Sequence, residues 1–321
     1  MIRAVLVIVL TMATPWLTAV PRWYVPDSLR PGAVNEVYGW DDSPLPGFSV
    51  EVFRQGVPKA MAWARGFAVK RPLALEATGS SYQWSAALLA LDAFDAPGPV
   101  TVRILVAGTV LTEVTSTIVA RQFPEEGIPL DKEMSQLREV PDARKDKEAA
   151  AIWATYQRFD PNYFWAGGKF LLPVGPTVRL SARFGDTRHY QYFDGTTSKD
   201  YHRGTDFAVP VGTPVGASAL GTVVLVANRM LTGNTVVVEH APGVYSVYFH
   251  LSRALVKPGQ RVLADDKIGL SGATGLVTGP HLHWEVRVGG VPVDPLELVS
   301  GGLLDTAAVG AVISSIERPI Y

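Results

Sequence analysis

Five of the six histidines in this 321-residue chain fall between positions 202 and 283. Four of them occupy three short contexts: His202-Arg203-Gly204-Thr205-Asp206, Tyr248-Phe249-His250-Leu251 and His281-Leu282-His283. This spacing constrains the fold, because metal chemistry can arise from it only if three separated stretches converge. Zinc is held well by neutral imidazole nitrogen and carboxylate oxygen. A catalytic site uses three protein ligands and leaves a fourth position for water, and two histidines with one aspartate meet that count. In extended backbone His281 and His283 project to one side, Leu282 and Trp284 to the other. The same alternation puts Tyr245, Val247 and Phe249 on one face and Ser246, Tyr248 and His250 on the opposite one. His250 is therefore expected on the polar side of a half-buried strand.

Composition narrows the chemistry further. The chain has no cysteine, so disulfides, thiolate metal sites and a lipid-modified N-terminal cysteine are excluded. A formal charge of -1 and the lack of a basic stretch interleaved with aromatics argue against nucleic acid as a partner. No His-Glu-x-x-His helix is present, so a glutamate base on a zinc-binding helix is not available. A phosphate cradle in the Gly-rich stretch 271–280 fails as well, since no helix pattern or Lys-Ser/Thr follows it. Its glycines read as tight turns that position the strand carrying His281 and His283.

With 47% hydrophobic residues the length suits two domains. Residues 1–20 combine an early Arg3, an apolar run from Ala4 to about Leu17 and small residues near Thr18-Ala19. They read as an export signal, with a retained membrane anchor as the alternative. Residues 25–123 are β-rich, with two alternating β-branched runs flanking Ala107-Gly108-Thr109 as a hairpin. Residues 124–165 change character: mixed charges crowd between Asp131 and Glu148, and helix formers follow, so they are expected to form a helical linker. From 166 to 300 short strands return, expected at Gly221 to Ala227, Asn234 to His240, Val244 to His250, Lys267 to Ser271 and His281 to Val288. A tail, 301–321, has room for a short helix but not for a membrane span.

The stretch from about Phe184 to Pro295 closely resembles the lysostaphin/LytM-type zinc metalloendopeptidases, which hydrolyse peptidoglycan. Their sites follow the order His-x-x-x-Asp, His, His-x-His. The resemblance rests on YHRGTDFAVPVGTPVGA, GNTVVVEH, YFHLS, VKPGQRV, IGLSGATG and TGPHLHWEV. It implies a mainly β protein whose 166–300 domain is antiparallel, with two packed sheets and an open groove, preceded by an immunoglobulin-like β-sandwich at 25–123. It implies one zinc ion per chain on His202, Asp206 and His283. A metal-activated water would be the nucleophile, with His250 and His281 assisting as non-ligand catalytic groups and His281 as principal base. Peptide stems or cross-bridges of peptidoglycan would be the partner, and the location would be exported: periplasm, cell envelope or extracellular. The alternative is a non-catalytic LytM-like regulator or wall-binding module, although such domains usually lack one or more of the five residues.

Several further residues carry specific expectations. Tyr190 and Tyr192, in the Tyr-rich loop before His202, and Asn234 are candidate substrate contacts, with Tyr201 a weaker candidate. Glu285, on the face of His281 and His283, is either a partner for a ligand imidazole or a structurally paired carboxylate. His240 reads as structural, and His189 has no evident partner.

Overall fold

The computed structural model describes residues 4–8, 21–41, 45, 47–69, 83–161, 163 and 168–304. Two compact units emerge, one running to Arg121 and taking in the chain from Leu303, the other Gln122–Gly302. The segment 1–20, read from the sequence as an export signal or anchor, lies outside the described residues except for Ala4–Ile8, which pairs with Arg22–Pro26. The helix considered for the C-terminal tail lies outside them too. Among the described residues no helix is long and apolar enough to cross a membrane.

Among the described residues the first unit is β-strand and loop, a single hydrogen-bonded path of nine strands. Ala62–Val69 pairs with both Phe48–Arg54 and Gln83–Ala90. Period-2 patterning explains its core: in Gly98–Val106 the residues Val100, Val102, Ile104 and Val106 are buried while the intervening positions are more exposed. The hairpin to Thr109–Ile118 closes on Ala107-Gly108, both with positive φ (49° and 80°). That is the backbone twist a two-residue loop needs.

In the second unit the main antiparallel sheet runs Leu180–Ala182, Thr205–Phe207, Leu282–Val288, Val244–Leu251, Gly233–Ala241, Gly221–Arg229, Arg261–Val262. The five strands expected from the sequence are all present, with ends moved by one or two residues. A second sheet joins Pro214–Gly216, Lys267–Leu270 and Arg253–Ala254. A third sheet has no counterpart in the sequence reading. Glu125–Pro129, in the stretch expected to be a helical linker, runs parallel to Thr187–Gln191, which pairs with Thr197–Tyr201. Ion pairs across this ladder, Arg188 to Glu126 (2.7 Å) and Lys199 to Glu125 (3.4 Å), account for such charged strands.

Helices Lys132–Glu139 and Ala143–Tyr156 follow, N-capped by Asp131 and Asp142, whose carboxylates accept from the amides of Met134 and Arg144. The longer helix buries Ile152 and Tyr156 against Val237, Tyr245, Val247 and Phe249, covering one face of the main sheet. The opposite face is closed too: Tyr248 donates to Ser218 Oγ (2.9 Å), and Ser246 Oγ lies 2.6 Å from His240 Nε2. Every residue of Val244–Leu251 is therefore buried, which corrects the expectation of a half-buried strand with a polar side. Ser246 and Tyr248 look polar in the sequence, but they satisfy one another inside the core.

Candidate metal centre

Strand register builds the site. Asp206 on Thr205–Phe207 lies directly opposite His283 on Leu282–Val288, and His283 directly opposite Phe249 on Val244–Leu251. Directly opposed residues share a sheet face, so Asp206, His283 and Phe249 point the same way, and the Phe249 ring stacks on the His283 imidazole at 5.2 Å. His202 enters from the turn before Thr205. Close approach there requires glycine, because a Cβ at Gly204 would overlap the Trp284 carbonyl oxygen.

His202 Nε2, Asp206 Oδ1 and His283 Nδ1 form a triangle with sides of 3.0, 2.8 and 2.7 Å. Donor atoms bound at zinc–nitrogen and zinc–oxygen distances in a tetrahedral shell are about 3.3 Å apart. The three are thus drawn together slightly more closely than a bound cation would hold them. All three residues are buried, and they form the group able to hold a metal ion among the described residues. The donor set, two imidazole nitrogens and one carboxylate oxygen with no thiolate, fits zinc.

Each donor is oriented from behind. His202 Nδ1 donates to the Arg183 carbonyl (2.9 Å), leaving the Nε2 lone pair toward the centre. His283 Nε2 faces Glu285 Oε1 at 3.0 Å, and Arg287 Nε donates to the other Glu285 oxygen at 2.6 Å. Glu285 is therefore both a partner of a ligand imidazole and a structurally paired carboxylate. Asp206 Oδ2 accepts from Arg188 at 3.2 Å, and Arg188 is fixed by Glu126 at 2.7 Å. Sequence reasoning missed Arg188, Glu126, Arg183 and Arg287. Only Arg287 carried a usable signal, its place two residues beyond Glu285 on the same strand face.

The electrostatics are those of a site built for positive charge. Against the cost of burial, His202 and His283 hold the Asp206 carboxyl well below its ordinary range. Burial pushes His202 down. At His283 the Asp206 and Glu285 carboxylates overcome burial and raise the imidazole to about 9.

His250 and His281 complete the cluster. Regular alternation from Phe249 would send His250 to the far side of the sheet. Its backbone is instead left-handed, with φ 59°, a conformation uncommon for a non-glycine residue. That kink turns the imidazole back, 4.8 Å from the His281 ring and 6.1 Å from His283 between centroids. His250 Nδ1 donates to the Thr274 carbonyl and His281 Nδ1 to the Gly279 carbonyl, both at 2.8 Å. Both rings thus keep a lone pair on Nε2, and His281 Nε2 lies 3.8 Å from Asp206 Oδ1. Burial, reinforced by His283 and His281, holds His250 down at about 3.

The remaining candidates are placed as follows. Tyr190 shares a strand face with Arg188, and the Arg138 guanidinium sits 3.8 Å over its ring. Tyr192 is buried, accepting from Arg138 at 3.1 Å with its hydroxyl 2.8 Å from Ser198. The Tyr201 ring carries the Arg203 guanidinium at 4.8 Å. Asn234 donates to the carbonyls of Leu251 (2.9 Å) and Ser252 (3.2 Å), bracing the strand end that carries His250. His240 is a core histidine, with Nδ1 donating to the Leu220 carbonyl and burial lowering it to about 4. His189 pairs with Glu125 at 3.2 Å.

Comparison with known proteins agrees with this geometry. The sequence model of Peptidase family M23 matches residues 200–295. The peptidoglycan DD-endopeptidase ShyA of Vibrio cholerae is 40% identical over 152 residues, 47% of this chain and 32% of that protein. ShyB of the same organism is 48% identical over 96 residues, 30% of this chain and 22% of that protein. The chain thus spans a third or less of the length of these curated relatives. A crystal structure from Pseudomonas aeruginosa assigned to peptidase M23 is similar over 84% of this chain and 93% of its own, with 27% identity and a TM-score of 0.56. On its histidine and aspartate spacing, the register that joins them and these likenesses, residues 200–295 of the chain form a Peptidase family M23 domain.

Proposed function

We propose that this chain is an exported, zinc-dependent endopeptidase that hydrolyses peptide cross-links of bacterial peptidoglycan. The observation that carries the reading is the convergence of His202 Nε2, Asp206 Oδ1 and His283 Nδ1 beside two imidazoles that keep their Nε2 lone pairs. Zinc held there would supply Lewis acidity toward the attacking water and the scissile carbonyl. His281 Nε2 would take a proton from that water and return it to the leaving amine. His250, braced at Nδ1 by Thr274, would act through Nε2, steadying charge developing on the carbonyl oxygen only after that atom has taken up a proton, or passing that proton on. The substrate class follows from the relatives' names and comes to this chain as part of the proposal, as does the envelope or extracellular location. Tyr190 and Asn234 are kept as groove residues bordering the peptide, with Tyr192 supporting Tyr190 through their shared partner Arg138. Among the described residues the first unit carries no comparable cluster, and it is assigned an accessory role as a sandwich-like module.

The test is release of soluble muropeptides from purified sacculi, read by mass spectrometry. Release is expected with the zinc-loaded chain and should stop with a chelator or with His283→Ala. Equal release by His283→Ala would overturn the reading. No release by zinc-loaded wild type would favour a non-catalytic wall-binding role.

A further inference from the structure

The contacts that shape the metal centre reach beyond residues 200–295. Arg188, which donates to Asp206 Oδ2 at 3.2 Å, lies before that stretch, and it is fixed in turn by Glu126, on a strand that precedes both helices. In Glu125–Pro129 the residues Glu126 and Ile128 are half-buried while Glu125, Gly127 and Pro129 are exposed, so alternation turns one face of this strand inward. The parallel register sets Glu126 directly beside Arg188. On its other side Arg188 lies opposite Asp200, yet Asp200 is taken by Arg203 (2.8 Å) and Arg138 (3.2 Å). Glu126 is the acid left to hold Arg188 Nε, at 2.7 Å.

A guanidinium is a rigid planar fork, so an acceptor that fixes Nε also fixes the direction in which the terminal NH2 group points. Arg188 therefore aims at Asp206 only as well as Glu126 aims Arg188. The Arg188 side chain is 19% exposed and that of Asp206 9%, and partly buried pairs of this kind are screened much less than surface ones. Burial alone would lower the Arg188 guanidinium, but Asp206 and Glu126 raise it above its ordinary value. The strand is also tied down at both ends, since the Thr187 amide donates to the Pro124 carbonyl (2.7 Å) and the Leu130 amide to the Gln191 carbonyl (2.9 Å). The neighbouring acid faces the other way: Glu125 pairs with Lys199 (3.4 Å) and His189 (3.2 Å) across the same ladder. It touches nothing that leads to the metal centre.

We propose that Glu126 is a positioning residue of the metal centre, acting on Asp206 through Arg188, and that the strand Glu125–Pro129 is a working part of the peptidase domain and not a linker to it. The proposal rests on the metal reading of His202, Asp206 and His283. With Oδ2 held by Arg188, the Asp206 carboxylate keeps Oδ1 turned toward His202 and His283. Released, it can rotate about its last side-chain torsion, which has broad minima. A ligand that must be ordered when the ion arrives binds it less tightly.

Zinc affinity of the full chain, measured by competition with a chromophoric chelator, tests this. Glu126→Ala is expected to weaken it about tenfold, the low end of the range for residues that orient metal ligands. Glu126→Gln, which keeps an acceptor for Arg188 Nε, should recover part of the loss. Glu125→Ala removes charge pairs from the same ladder and should leave affinity within about twofold of wild type. Added to Arg188→Met, Glu126→Ala should cost less than about twofold more, as expected of two residues acting in series. Cobalt(II) in place of zinc gives a visible spectrum sensitive to ligand geometry, which should move in Glu126→Ala and Arg188→Met alike and stay fixed in Glu125→Ala. Thermal melting without metal checks that each variant is folded. Equal losses in Glu126→Ala and Glu125→Ala would overturn the proposal, since damage to the ladder would then be the cause, and so would full additivity with Arg188→Met. Wild type that takes up no zinc would sink the metal reading and this proposal with it, whereas tight wild-type uptake with unchanged affinity in Glu126→Ala sinks the proposal alone.

Discussion

At the scale of single residues, the five site side chains divide by whether their donor atoms converge. His202, His250 and His281 are each held at Nδ1 by a backbone carbonyl, Asp206 by Arg188 and His283 by Glu285, but only the donor atoms of His202, Asp206 and His283 converge to within 3.0 Å of one another. Alanine at any of these last three is expected to abolish metal retention, measured as zinc per chain after dialysis. Alanine at His281 or His250 should leave the metal in place and lower kcat by about 10²–10⁴, the usual range for a lost proton-transfer group. Arg188→Met is the sharper case, because Arg188 touches no metal yet fixes the second oxygen of Asp206. Its removal should weaken zinc affinity about 10–100-fold in a chelator competition. Unchanged affinity would show that register alone aims the aspartate.

At the scale of elements, the centre depends on how closely Thr205–Phe207 lies along Leu282–Val288. Gly204 allows that approach, and Gly204→Ala should push the strands apart, costing about 1–3 kcal/mol and weakening metal binding with every ligand retained. Urea melts and zinc titration of the variant measure both effects. The strand Gly233–Ala241 carries a second prediction, for its neighbours Glu239 and His240 point to opposite faces and respond oppositely to pH. Burial raises Glu239 to about 7 and lowers His240 to about 4. Between about 4.5 and 7 the folded chain binds a proton at Glu239 that the unfolded chain releases, so this group's contribution is lost as pH rises through 7. Between about 6.5 and 4 the unfolded chain protonates His240 and the folded chain does not, so that contribution is lost as pH falls. The two oppose each other where the windows overlap. Glu239→Gln should therefore remove the loss that accompanies a rise from about pH 4.5 to 7, by about 1 kcal/mol after solvent screening, and so leave the fall in stability on the acid side steeper than in wild type. Denaturant melts from pH 5 to 9 check the sign.

At the scale of the whole molecule, the sequence disclosed what period and motif can encode. Five strands and the three residues that converge at the centre were legible because alternation and the His-x-x-x-Asp and His-x-His spacings are local. The turn of His250 was not, since regular alternation assigns it to the wrong face and only its left-handed backbone brings it back. Nor were Arg188 and Glu126, whose link to Asp206 exists only once Glu125–Pro129 pairs with Thr187–Gln191. The division into two units makes a last prediction. Each has its own apolar core, one around Trp23, Phe48, Val50 and Ile104, the other around Ile152, Tyr156, Tyr245 and Val247. The three residues able to hold a metal ion belong to the second. A ligand that binds only the folded state stabilises it by mass action, about 4 kcal/mol at a thousandfold excess over Kd. In a domain of this size that shifts melting by about 10 °C. Scanning calorimetry of the zinc-loaded chain should resolve two transitions, of which a chelator lowers one by that order and leaves the other in place. A single transition that moves as a whole would mean that the cores unfold together, and that the first unit shares in the stability of the metal centre.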